Sequence, residues 1–150
     1  MIKKIEADNF KCFEHVSLGM SNLNLFSGIN SMGKSTVIQM LLLLRQSYEQ
    51  NVLEKGIYLN GKYTNLGIGK DVLYTDAEEN HIKITVTDEK NALSVTYDYN
   101  GMADYLNLLN RIEMSEIENM NLFSNGFDYI AADRLGPQSS YEKSYFEVWE

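Results

Sequence analysis

Apolar and polar residues alternate loosely from Ile2 to Phe10, which predicts a first strand ended by Asn9-Phe10-Lys11-Cys12-Phe13. Two more short strands are expected at His15 to Leu18 and Leu23 to Ser27, with Ser21-Asn22 turning between them. From Val37 to Tyr48 the pattern changes. Val37, Ile38, Met40 and the run Leu41-Leu42-Leu43-Leu44 place apolar side chains all round a helical axis, as in a helix buried on most sides. Arg45 to Gln50 are polar and are expected to carry that helix out to solvent, with Gly56 marking the exit.

Strand patterns then return. Ile57-Tyr58-Leu59 and Lys62-Tyr63-Thr64 flank Asn60-Gly61, a pair suited to a type I′ turn, so a hairpin is expected there. A second hairpin is expected between His81 to Thr87 and Ala92 to Tyr99. There Ile82, Ile84 and Val86 alternate with polar residues, as do Leu93, Val95, Tyr97 and Tyr99. Ala103 to Glu118 reads as a helix with Tyr105, Leu106, Leu109 and Ile112 on one side. Phe127 to Ala132 reads as a short strand leading into the loop Asp133-Arg134-Leu135-Gly136-Pro137-Gln138.

Between the early strands and the apolar helix lies Gly28-Ile29-Asn30-Ser31-Met32-Gly33-Lys34-Ser35-Thr36. It fits the phosphate-binding pattern Gly-x-x-x-x-Gly-Lys-Ser/Thr in its expected strand–loop–helix context. Such a loop suits a triphosphate for physical reasons. Gly28 and Gly33 let the backbone curl so that successive N–H groups point inward as an anion nest. The following helix adds its dipole and its free N–H donors. Lys34 would reach the β- and γ-phosphates, and the Ser35 hydroxyl would ligate Mg²⁺. Asn30, Ser31 and Thr36 complete the cradle, and Met32 fills a position that the pattern leaves free. Hydrolysis also needs an acid at the end of an apolar strand. Asp133 is the one residue so placed, but Arg134 follows it, and pairing with Arg134 explains it as well. No Asn-Lys-x-Asp guanine motif is present.

Bulk composition narrows the setting. A chain of 150 residues, 44% of them hydrophobic, suits one domain with a core of its own. The net charge of −8 argues against a broadly basic nucleic-acid surface, although a small basic groove fits within an acidic average. Cys12 is the single cysteine, which excludes an intrachain disulfide and fits a reducing cytosol. No apolar run reaches membrane-spanning length and no apolar stretch follows the N-terminal lysines, so a cytoplasmic protein is expected.

With these residues in view, Ile5 to Phe13 together with Asn24 to Thr36 resemble the N-terminus of the ABC-type ATPases of the SMC, RecF and OLD group. Those chains open with a strand ending in Asn-Phe-Lys/Arg and place the phosphate loop about twenty residues later. Leu41 to Ser47, Leu59-Asn60-Gly61, Leu66-Gly67, Asp71-Val72-Leu73-Tyr74 and Tyr129 to Pro137 are similar to a subfamily of bacterial AAA-type ATPases. That subfamily includes the ATPase subunits of Septu-type antiphage systems, which partner an HNH nuclease.

The resemblance implies an α/β P-loop NTPase fold: the N-terminal lobe of an ABC-type ATPase head, with antiparallel hairpins beside the P-loop helix. It implies ATP and Mg²⁺ as cofactors, and a C-terminal lobe carrying the signature motif and the Walker B acid. It implies a second head that closes over the nucleotide, and it brings in a nuclease subunit as a partner. Residues 1–150 carry no Leu-Ser-Gly-Gly-type signature, so they are expected to form the N-terminal lobe alone. Either the product is cut short or the remainder sits on another chain. Lys11 matches the basic position of the Asn-Phe-Lys element near the nucleotide, the alternative being a solvated strand-end lysine. Gln138 falls where a glutamine would contact Mg²⁺ or the attacking water, the alternative being a plain loop residue.

Two other functions compete with an ATPase head. One is a non-catalytic interaction module whose binding to a partner ATPase or nuclease is gated by nucleotide. The other is a small P-loop kinase, which Arg45, Arg111 and Arg134 are too few to equip. His15 and His81 lack ligand-spaced partners and read as ordinary strand residues.

Overall fold

The computed structural model describes residues 1–29 and 33–131. Its centre is a four-stranded antiparallel sheet formed by β1 (Lys4–Phe10), β2 (Phe13–Gly19), β4 (His81–Thr87) and β5 (Ala92–Asp98), in the order β2-β1-β4-β5. The register follows from the apolar alternation. Ile5 lies opposite Val86, Ala7 opposite Ile84, Ile84 opposite Val95 and Ile82 opposite Tyr97, so all of these share one buried face. A one-residue slip would turn that whole set to solvent, where each side chain would lose about 1.5–3 kcal/mol of burial. The other face is polar, with Asp8 against His15, Glu6 against Ser17 and Thr85 against Ser94.

Helix α1 (Lys34–Glu49) supplies the other side of the core. Its Val37, Met40, Leu43 and Leu44 join Ile5, Ile84, Val86 and Val95 in one apolar cluster. A small second sheet pairs β3 (Gly56–Tyr58) with β6 (Tyr105–Asn107). Two one-turn helices, α2 (Gly69–Val72) and α3 (Met114–Ile117), complete the described elements.

The first strand, the P-loop helix and the β4–β5 hairpin thus agree with the sequence pattern. Five expectations do not hold, four of them for a physical reason that the structure shows. Leu23 to Ser27 is not a strand: no described neighbour pairs with it, and Leu23 and Leu25 stand 87% and 90% exposed. A strand without a ladder leaves its N–H and C=O groups to solvent. Here Ser21 and Asn24 close the preceding turn instead, with the Asn24 side chain accepting from Ser21 N at 2.9 Å and donating to Ser21 O at 2.9 Å.

The second departure is the Asn60-Gly61 hairpin. Gly61 keeps a negative φ, and Tyr58 and Tyr63 do not pair. Side chains of α1 take their backbone groups: Ser47 Oγ accepts from Tyr58 N, Gln46 Nε2 donates to Tyr58 O, and Gln46 Oε1 accepts from Tyr63 N and Thr64 N. β3 pairs with β6 instead. Gly56 permits this, because a Cβ there would strike Leu106 O.

That pairing also explains the third departure. Ala103 to Glu118 is not a helix, because Tyr105–Asn107 is taken up as a strand and only Met114–Ile117 turns helically. Asn110 is committed to β5, accepting from Thr96 N at 2.7 Å and donating to Ser94 O at 2.9 Å.

Fourth, Arg45, Gln46 and Ser47 do not lead α1 into solvent; they are buried at 9%, 1% and 0% exposure. Arg45 donates to Leu122 O at 3.0 Å, to Ser124 O at 2.9 Å and to Glu49 at 2.8 Å, and it lies over the Phe127 ring. The expected strand from Phe127 is absent over Phe127 to Ala131. Ala132, Asp133, Arg134 and Gln138 lie outside the described residues, as do Asn30, Ser31 and Met32.

Candidate functional site

The site grows from the start of α1. Gly33 caps the helix in the left-handed region at φ 84°, with no side-chain cap, and the first turn holds no acid. A carboxylate in that turn would gain from the helix dipole but would repel an incoming phosphate. Gly33 is needed twice over. Its φ disfavours any side chain, and a Cβ there would lie 2.8 Å from Cys12 Sγ and collide with the Phe13 ring. The β1–β2 turn therefore packs directly against the start of α1 at Gly33.

Lys34 Nζ donates to the carbonyl oxygens of Gly28 at 2.5 Å and Ile29 at 2.9 Å. The ammonium is thus folded back across its own loop, with one of its three donors left for a ligand. Gly28, at φ 146°, also adopts a conformation favoured by glycine. Ser35 is exposed at the helix start, and Thr36 is buried with its hydroxyl 3.8 Å from Cys12 Sγ.

The Asn-Phe-Lys element acquires a structural role. Asn9 (φ 56°) breaks the strand alternation, so that Phe10 and not Asn9 enters the core. Asn9 O accepts from Tyr74 N at 3.1 Å, its side-chain amide donates to His81 O at 3.3 Å, and Lys11 N donates to Val72 O at 2.7 Å. Lys11 also has a positive φ of 52° and donates from Nζ to Gln39 Oε1 at 3.1 Å. The element therefore ties the end of β1 to the segment leaving α2 and holds Lys11 beside α1.

Between these parts lies an open cleft of about 530 Å³. Gly33, Lys34, Ser35 and Thr36 form one wall and Lys11 and Cys12 another. The third wall is Lys70, Asp71, Leu73 and Thr75; the sequence pattern gave none of them a role in the site, and Asp71 and Leu73 entered only through resemblance. A signal for it existed: Gly67-Ile68-Gly69 is a turn signature placed just before a lysine. The structure places Lys11 on the same cleft as Gly33–Thr36. It places Gly28 against Lys34, not among the cleft walls. Among the described residues, no group of three histidine, cysteine or acidic side chains could hold a metal ion.

A search against protein families matches the AAA ATPase domain over residues 1–147. The chain belongs to that family. Membership carries nucleotide binding, and usually Mg²⁺ use, with it. It fits the α/β architecture with an antiparallel sheet described above. Comparisons with curated proteins and with solved structures gave no match. No helix among the described residues is long and apolar enough to cross a membrane.

Mg²⁺ fits the donors at hand. It keeps several waters and is held by one or two protein oxygens plus phosphate oxygens. Ser35 offers such an oxygen on the cleft wall, and the absence of an acid cluster among the described residues is compatible with that mode.

Proposed function

We propose that the chain binds ATP-Mg²⁺ through Gly28 to Thr36 as the N-terminal lobe of an ABC-type ATPase head. The observation that carries this reading is the cleft itself. It opens at the acid-free first turn of α1 and is lined by lysines from separate elements, in a chain whose net charge is −8. A local reversal of sign of this kind draws a polyanion into a cleft.

In this reading Lys34 exchanges a loop carbonyl for phosphate oxygens, and backbone N–H groups at the start of α1 hold the phosphate chain. Ser35 and phosphate oxygens hold Mg²⁺, which when bound neutralises phosphate charge. Asn30, Ser31 and Met32 complete the loop backbone, Lys11 adds charge from the end of β1, and Gln138 is a second polar contact near the metal. The exposed Leu23 and Leu25, on a segment with strand-like alternation, support pairing of that segment with a strand from a C-terminal lobe. A second head would then close over the nucleotide, in a cytoplasmic complex of antiphage type that includes a nuclease subunit and acts on nucleic acid.

Titration of the full-length protein with fluorescent ATP analogue and Mg²⁺ tests the proposal. Saturable binding that Lys34→Ala removes, with turnover rising steeply with protein concentration, is the expected result. No binding, or rapid turnover independent of concentration, would overturn it.

A further inference from the structure

The third wall of the cleft has no role in the phosphate-loop pattern, yet its backbone is firmly anchored. α2 is held from both sides by backbone hydrogen bonds. Gly69 N donates to Ala103 O at 2.8 Å and Lys70 N to Gly101 O at 3.1 Å. On the other side Val72 O accepts from Lys11 N at 2.7 Å. Gly69 is required for this fit, because a Cβ there would strike the Asn100 carbonyl. Asp71 is already used within its own turn, accepting from Ile68 N at 3.0 Å and packing against Gly67, whose φ is 87°. Lys70 is different. Its backbone is fixed, its side chain is exposed along the cleft, and it forms no ion pair among the described residues.

We infer that Lys70 is a nucleotide-contacting residue, a third lysine that holds the phosphate chain from the wall opposite the phosphate loop. The inference rests on the reading of the cleft as a nucleotide site and adds a residue to it. Three lysines, Lys11, Lys34 and Lys70, come from the β1–β2 turn, the helix start and α2 and line one open space, with Lys11 Nζ on Gln39 Oε1 and Lys34 Nζ on the Gly28 and Ile29 carbonyls. Among the described residues, the single carboxylate on that space, Asp71, is turned to its own backbone. Such an arrangement favours ligands by their number of negative charges. Lys70 therefore contributes more to ATP than to ADP, and least to AMP.

The test measures ATP-Mg²⁺, ADP and AMP affinity on the full-length protein for Lys70→Glu, Lys70→Gln and Lys70→Arg. Lys90→Glu, on the exposed turn between β4 and β5, serves as a control of equal net charge. Lys70→Glu is expected to weaken ATP by roughly tenfold or more, and AMP by far less. Lys70→Gln is expected to fall between, Lys70→Arg to restore affinity, and Lys90→Glu to change it by no more than roughly twofold. Cys12 gives an independent readout, since it faces the same cleft. ATP should slow its alkylation by N-ethylmaleimide, and Lys70→Glu should raise the ATP concentration needed. If Lys70→Glu matches Lys90→Glu, or weakens all three nucleotides equally, the role of Lys70 falls while the site stands. If the wild type binds no nucleotide, both fall together.

Discussion

At its first turn α1 carries Lys34, Ser35 and Thr36 beside an open cleft, and towards its other end it carries Arg45, Gln46 and Ser47 inside the core. Both sets are polar, and both stand next to a helix face rich in leucine. They differ in what satisfies them. Gln46 makes three hydrogen bonds to the backbone of residues 58–64, and Arg45 makes two to the backbone of residues 122–124. These side chains satisfy backbone groups that no described ladder takes up. At the first turn, the helix start has no side-chain cap, and among the described residues Lys34 is held by two carbonyls of its own loop. Polar groups already satisfied by protein organise the fold, whereas groups left open are available to a ligand.

Variants at the two ends should therefore separate binding from stability. The largest effect is expected from Lys34→Ala, with a loss of ATP affinity on the order of 100-fold from removing a charge-assisted phosphate contact. Its melting temperature should stay within about 2 °C of wild type, because only loop carbonyls lose a partner. A large drop in melting temperature would erase the contrast. Gln46→Leu is the opposite case. It strands Tyr58 O and the Tyr63 and Thr64 N–H groups, so urea unfolding should show a loss of about 2–3 kcal/mol. Binding per folded molecule should be unchanged.

Gly33→Ala sits where the two properties meet. The left-handed backbone and the contact with Cys12 and Phe13 should cost about 1–3 kcal/mol, and here affinity should fall as well. Tyr97→Phe is expected to have the opposite sign. The Tyr97 hydroxyl is fully buried with no hydrogen-bond partner among the described residues, and burial pushes its pKa far above the ordinary tyrosine value. Removing the hydroxyl should be neutral or stabilising by up to about 1 kcal/mol in the same urea assay.

The smallest effect concerns Glu49. Burial acts to raise its pKa, but hydrogen bonds from Tyr63 and Arg45 outweigh it and hold the pKa below the ordinary 4.5. A depressed folded-state pKa gives stability that is present above the unfolded value and lost as pH falls through the folded one. Unfolding followed below pH 4.5 should therefore be less pH-dependent in Glu49→Gln than in wild type. Equal slopes would remove Glu49 from the network at that end of α1.

The sequence was most legible where a pattern depends on neighbours close along the chain. His81–Thr87 and Ala92–Asp98 alternate strictly and form their hairpin; the leucine run forms its helix. It was least legible where a backbone group could choose between partners. Asn60-Gly61 offers a hairpin turn, but Gln46 and Ser47 compete for the same N–H and C=O groups and capture them. Tyr105 and Leu106 fit a helical stripe until β3 offers them a ladder. Arg45 looks like a solvated helix end until Leu122 and Ser124 present their carbonyls.

The candidate site divides in the same way. Gly28, Gly33, Lys34 and Ser35 are readable in sequence because a phosphate loop is a contiguous device, whose donors are successive backbone groups and whose charge is a neighbouring side chain. Lys11 was readable only through resemblance. Lys70 was not readable as part of the site, since it lies 36 residues beyond Lys34 in the chain. Only the clamp of α2 between the end of β1 and the loop at residues 100–103 brings it to the cleft. Local chemistry thus determined where a phosphate would be held. The long-range hydrogen bonds of the folded chain decided what stands on the opposite wall, because charges from distant segments converge only when the backbone between them is fixed.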